Sequence, residues 1–105
     1  MIRGDVCYYP YPEPDKRRPV VLLTRTDTIV FLNDVTVAPL TAAIRDNETS
    51  GWLDESEGVR ESCSINLDRI QTVPKGRLGR PIAHLSVEKM DEIRDAIMFA
   101  FGYED

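Results

Sequence analysis

Apolar and polar positions fall in short blocks along most of the chain, and a helical spacing emerges only near the C-terminus. Residues 4–9 (Gly-Asp-Val-Cys-Tyr-Tyr) have the β-branched and aromatic content of a strand. Residues 10–17 hold three prolines and no apolar run, which predicts a loop, because proline cannot donate to a ladder. Residues 19–24 form a near-continuous apolar run of strand length, and Pro19 with the polar stretch that follows leaves no room for a helix. Residues 28–32 and 34–40 predict two more strands with a tight turn at Asn33 and Asp34, whose side chains tolerate left-handed backbone. Pro39 marks the tip of the second as an end or a bulge.

The polar residues 44–50 predict a loop, and residues 51–54 a short edge strand carrying Trp52. Residues 55–61 are charged and expected to be exposed. Residues 64–67 and 69–73 read as strand, either two pieces or one bent strand, followed by a turn at 74–76. Ser86 is a credible helix N-cap, with Glu88 in the first turn where the helix dipole favours an anion. Met90, Ile93, Ile97, Ala100 and Phe101 recur at three and four and mark one apolar face. Asp91, Glu92, Arg94 and Asp95 cover the other side, and Gly102 is placed to end the helix. Several short strands followed by one amphipathic helix predict a mainly β fold with a C-terminal α-helix, as a small antiparallel barrel or curled sheet.

With 105 residues the chain is sized for a single domain over 1–105 with one modest core. Apolar residues are 42% and charged residues 30%, a globular balance rather than a disordered one. No stretch approaches the roughly 20 apolar residues of a membrane span, and the opening Met-Ile-Arg-Gly-Asp is not an apolar signal region. A cytoplasmic protein with no membrane role is therefore expected. The two cysteines, Cys7 and Cys63, are expected to be reduced and packed. A single histidine and the absence of CxxC or HxxxH spacing give no metal signature, and no cofactor is expected. The net charge of −5 disfavours a general nucleic-acid binder, so any such role must rest on a local basic patch.

One such patch is Lys16, Arg17 and Arg18, set against the buried run "PVVLL". A guanidinium there is anchored by the strand while its forked donors suit a phosphate; the plainer reading is a solvated loop end paired with Glu13 or Asp15. Thr41, ending "VAPLT", either caps a turn or donates its hydroxyl to a substrate oxygen. His84 is either a structural hydrogen-bonding residue or a single acid or base. Ser62, Cys63 and Ser64 lack the base and orienting group that a nucleophile needs. Trp52, Tyr8, Tyr9 and Tyr11 either fill core and interface or stack on bases.

Taken in order, "RGDV", "RRPVVLL", "VTVAPLT", "SINLDRIQTV" and "RL" with "HLS" before a terminal helix resemble the MazF/PemK family, the toxins of toxin–antitoxin pairs that cleave RNA. The resemblance spans nearly the whole chain. It implies an SH3-like antiparallel barrel, a two-fold homodimer, single-stranded RNA (mRNA) as substrate and a MazE-like cognate antitoxin as partner. It also implies a metal-independent endoribonuclease in which the substrate's 2′-hydroxyl attacks, leaving a 2′,3′-cyclic phosphate and a 5′-hydroxyl. Arg18 matches the arginine of the family's RPV motif, which acts in catalysis, and Thr41 the Thr or Ser that pairs with it. Lys16 and Arg17 would then bind substrate. Asp68 matches an acidic residue taken as chiefly structural, and Cys63 falls where relatives often carry Ser.

The segment "YPYPEPDK" departs from the Gly-Ser-Glu-Gln-like stretch usual before that arginine, which implies a different sequence preference rather than a different reaction. The alternative is a CcdB-like toxin that shares the barrel and inhibits DNA gyrase by protein contact. There Arg18 and Thr41 would be dispensable, and Phe101 and Gly102 would matter. A plain SH3-like binding module is a third reading, which the proline-rich loop helps little.

Overall fold

The computed structural model describes residues 1–12, 17–41, 50–53 and 63–103, with the course of the backbone alone at 41, 50–53 and 63–64. Seven strands run as β1 (Asp5–Pro10), β2 (Arg17–Leu22), β3 (Asp34–Thr41), β4 (Ser50–Leu53), β5 (Cys63–Asn66), β6 (Gln71–Pro74) and β7 (Ala83–His84). A helical turn α1 (Thr26–Ile29) joins β2 to β3, and helix α2 (Val87–Ala100) ends the fold. Every pairing is antiparallel, in the order β4-β5-β3-β2-β1-β7, with β6 also paired to β3. This is the mainly β, curled sheet with a C-terminal helix that the strand pattern predicts.

β3 is the hub because it changes partners along its length. Its first half pairs with β6, from Asp34 against Pro74 to Val37 against Gln71. On its other edge Val37, Ala38 and Pro39 meet Leu22, Val21 and Val20 of β2. Beyond Pro39, Leu40 and Thr41 pair with Ile65 and Ser64 of β5.

Strand alternation then divides the apolar residues between the two faces of the sheet. Val6, Val21, Ala38, Leu40, Ile65, Leu67 and Leu85 pack with Ile93 and Ala96 of α2. Tyr9, Val20, Leu22, Val35, Val37 and Val73 pack with Ile29 on the other side, where the sheet curls over itself.

Several boundaries differ from expectation. The strand expected at 28–32 is absent. Phe31 N–H bonds the Thr28 carbonyl (3.0 Å) and Leu32 N–H that of Ile29 (3.2 Å), so the backbone winds into a turn. Only Ile29 of α1 is buried, while Val30 and Phe31 are 73% and 83% exposed. The β-branched composition suggested a strand, but antiparallel neighbours β2 and β3 force the link between them to reverse direction. Lys75 fastens that reversal by donating from Nζ to the Ile29 carbonyl at 2.9 Å.

The loop expected at 10–17 surrenders both ends to the sheet, since Pro10 pairs with Arg17. Residues 13–16 of that loop, the loop at 44–50 apart from Ser50, and the charged segment at 55–61 lie outside the described residues. β5 and β6 are two strands, separated by a 3-10 turn over Leu67–Arg69 in which the Asn66 side chain accepts from Asp68 N–H (3.1 Å). β7 had no local signal.

α2 starts as predicted, with Ser86 Oγ accepting from Lys89 N–H at 3.1 Å, and Gly102 follows it with φ +75°. Phe101 is not on its buried face: it lies past the last helical residue and is 55% exposed, whereas Ala96 is buried. No helix among the described residues is long and apolar enough to cross a membrane.

The start of β1 is held by two buried groups. Asp5 accepts from Ile2 N–H through Oδ2 and bonds His84 Nδ1 through Oδ1, both at 2.9 Å. Gly4 has φ +93°, and a Cβ there would lie 3.3 Å from Met90 Sδ. Gly4→Ala should therefore destabilise by about 1–2 kcal/mol from backbone strain, lowering Tm by roughly 4–16 °C in a thermal melt of a chain this size.

Cys7 is a free, buried thiol in β1. Burial pushes its pKa up from the ordinary value of 9.0, and the negative charge of Asp5 adds to the rise. A raised folded-state pKa gives stability that is complete below the unfolded pKa and lost as pH rises through the folded one. The stability advantage of the wild type over Cys7→Ala should hold at neutral pH and shrink above about pH 9, read by urea unfolding across pH.

Candidate active site at the mouth of the curled sheet

β2 runs from solvent into the core within a few residues. Arg17 is exposed, Arg18 and Pro19 half-buried, and Val20, Val21 and Leu22 are fully buried. The buried trio fixes the backbone, so the two arginines emerge from a rigid base at the strand's open end.

Arg18 lies opposite Tyr9 of β1. Alternation puts Arg18 on the face of Val20 and Leu22, at the open end of the second apolar cluster. Tyr9 is buried there, and its ring meets Tyr11 edge-on with centroids 5.0 Å apart and planes at 74°. The Gln71 side-chain amide donates to the Tyr11 hydroxyl, across 60 positions of sequence. Gln71 reaches this place because β6 pairs it with Val37, one face away from solvent.

Thr41 ends β3, and its backbone is held from the far side by the pair with Ser64. The β2–β3 ladder matches Val20 to Pro39, Val21 to Ala38 and Leu22 to Val37. That ladder ends at Val20 and Pro39, two residues from Arg18 on one strand and from Thr41 on the other. The Thr41 side chain and all of Lys16 lie outside the described residues.

Arg17 projects to the other face, with its guanidinium carbon 4.7 Å from the Tyr8 ring centroid. The expected salt bridge to Glu13 or Asp15 falls on residues outside those described. So do Ser62 and the side chains of Trp52, Cys63 and Ser64, though Trp52 sits in edge strand β4 as expected.

His84 does not join this site. It pairs with Asp5 at the other end of β1, four residues from Tyr9, or about 13 Å along a strand. Its bond to the buried Asp5 makes it a structural residue. Asp68 lies in the 3-10 turn below β5, away from the mouth. Among the described residues no three of His, Cys, Asp and Glu gather to hold a metal ion.

A hollow of about 380 Å³ lies against α2 between Leu23, Ile93 and Ile97. It borders the first apolar cluster and is therefore on the opposite side of the sheet from Arg18. The strand end brings together a guanidinium carried by a buried strand and an aromatic pair with its polar tip bonded by Gln71. Forked donors on a rigid strand end suit an anion with several oxygens. Tyr11 was legible only as one of several aromatic candidates and Gln71 carried no signal, because their contact depends on strand pairing between distant segments.

Residues 2–101 match the family model of PemK-like, MazF-like toxins of type II toxin–antitoxin systems. The chain is 37% identical over 90 residues to endoribonuclease MazF3 of Mycobacterium tuberculosis, covering 86% of this chain and 87% of that protein. It is 30% identical over 103 residues to the probable endoribonuclease MazF2 of the same organism, covering 97% and 99%. Among solved structures, the Mycobacterium tuberculosis toxin MazF-mt6 superposes with a TM-score of 0.88 at 32% identity, covering 96% of this chain and 99% of that one. An endoribonuclease in complex with its cognate antitoxin from a mycobacterial species shares the fold with a TM-score of 0.88 at 22% identity, over 100% and 98% of the two chains. A strand-rich fold, the ordered motifs along it and these likenesses over nearly its full length agree: the chain belongs to the PemK-like, MazF-like family of type II toxin–antitoxin toxins.

Proposed function

We propose that this protein is the endoribonuclease toxin of a toxin–antitoxin pair, acting in the cytoplasm on single-stranded RNA, with mRNA as its main substrate. The reading is supported by Arg18 at the start of β2 and Thr41 at the end of β3, each two residues from the point where the two strands begin to pair. A single-stranded substrate suits it because unpaired bases can splay out to be read.

The 2′-oxygen of one nucleotide forms a bond to phosphorus, and the bond from phosphorus to the 5′-oxygen of the next nucleotide breaks. The 2′-hydroxyl proton passes to solvent or a neighbouring side chain, and the departing 5′-oxygen takes one up. The products are a 2′,3′-cyclic phosphate and a 5′-hydroxyl. Arg18 stabilises the charged phosphorane with its forked donors, and Thr41 donates a hydrogen bond to the same group. A guanidinium with pKa above about 12 is a poor base near neutrality, so Arg18 acts by charge and placement rather than by proton transfer. Lys16 and Arg17 bind the substrate, the local basic patch that an acidic chain needs.

The protein works as a homodimer and is inhibited by a MazE-like antitoxin whose acidic or aromatic segment covers the mouth. Exposed Met98 and half-buried Phe99 on α2 are candidates for the dimer surface.

Incubation of the protein with a long RNA in EDTA, followed by end mapping, tests the reaction. Cleavage at defined sites leaving 5′-hydroxyl ends is expected. Intact RNA from a folded protein overturns the reading and favours the CcdB-like alternative of gyrase inhibition, for which Arg18 would be dispensable. Arg18→Ala should slow cleavage about 100- to 1,000-fold while keeping part of the RNA binding. Arg18→Lys should rescue only partly, because a point charge does not reproduce the fork. Full activity of the lysine variant in a cleavage time course contradicts the assignment.

A further inference from the structure

Strand alternation sends Tyr8 of β1 and Arg17 of β2 to the face opposite Tyr9 and Arg18. There the Arg17 guanidinium lies over the Tyr8 ring, 4.7 Å from its centroid, with Arg17 exposed and Tyr8 half-buried. The backbone that carries the ring is held in place. The segment after β6 runs along β1, with Gly79 N–H donating to the Tyr8 carbonyl (2.9 Å) and Ile82 N–H to that of Val6 (2.7 Å). A Cβ at Gly79 would lie 3.7 Å from the Tyr8 carbonyl oxygen and 4.0 Å from Tyr8 Cβ, in ordinary contact, so the chain passes beside the tyrosine's backbone. Arg80, also exposed, comes next.

A cation that only neutralises phosphate needs no ring beneath it. A guanidinium laid on a tyrosine is turned into a flat platform: one side is taken by the ring, and the other suits the π-face of a base. Arg17 and Arg18 leave opposite faces of the strand end, so an RNA strand held at Arg18 that passes round that end brings a nearby base to Arg17. We infer that Arg17, seated on Tyr8, stacks an RNA base near the scissile phosphate and gives cleavage a base preference there. The inference rests on the endoribonuclease reading, and extends it to two residues whose part is recognition rather than chemistry.

The test is cleavage of a long RNA pool of random sequence by the wild type, Arg17→Lys, Tyr8→Leu and Tyr8→Phe, with sequencing of the ends and measurement of kcat and KM. Arg17→Lys keeps the charge without the plane. It should flatten the base preference beside the cut and lower kcat/KM about 5- to 100-fold, the usual worth of one stacked base, mostly through KM. Tyr8→Leu should do the same, and Tyr8→Phe should retain the preference because the ring suffices. Should Tyr8→Leu fail to fold, the surface change Arg17→Lys still decides. Wild-type cleavage with an unchanged preference and KM in Arg17→Lys overturns the stacking role alone. A wild type that leaves RNA intact overturns the cleavage reading, and the stacking role with it.

Discussion

The register between β2 and β3 is the constraint on which the rest of the molecule depends. Val20, Val21 and Leu22 face Pro39, Ala38 and Val37, and every one of these residues is buried. Because their side chains alternate between two apolar clusters, a slip of one residue would turn each cluster's members into the other. No compensating arrangement exists for a strand buried on both faces. The register is thus fixed by packing, and the polar residues at the strand ends inherit their positions from it.

Around Arg18 the strand end meets groups drawn from elsewhere in the chain. Tyr9 enters through β1, Tyr11 follows it past Pro10, and Gln71 arrives through β6. The three give an apolar wall whose exposed edge is satisfied by a hydrogen bond, which keeps the neighbouring apolar surface from demanding water. On the outer face, Tyr8 and Arg17 form a second and simpler assembly. A single strand end therefore presents two cations on opposite faces, and the proposed roles set one against the reacting phosphate and the other against a base. That division suits an acidic protein, which cannot rely on a broad field to hold RNA.

Much of this was legible before any fold was known. The buried run after Arg18 and the block at 34–40 had strand length and composition, and their pairing followed the pattern. The N-cap at Ser86 could be read because capping is local: Ser86 Oγ reaches Lys89 N–H within one turn. What escaped was decided at a distance. Residues 28–32 had strand composition, but the need to reverse between paired strands wound them into α1. Phe101 kept the helical spacing yet lies beyond the last helical residue. Gln71 and Tyr11 meet only because β6 and β1 fold against the same cluster. His84 read either as a structural hydrogen-bonding residue or as a single acid or base, and its bond to Asp5, which favours the first, spans 79 positions.

The claim at the centre is that one register brings Arg18 and Thr41 to a single phosphate, and a double-mutant cycle on RNA cleavage measures it. Residues acting as a unit give losses far from additive. The predicted result is that Arg18→Ala with Thr41→Ala is hardly slower than Arg18→Ala alone, although Thr41→Ala by itself reduces the rate. A double variant slowed by the full product of the two single effects, or a Thr41→Ala protein that cleaves at the wild-type rate, would contradict it.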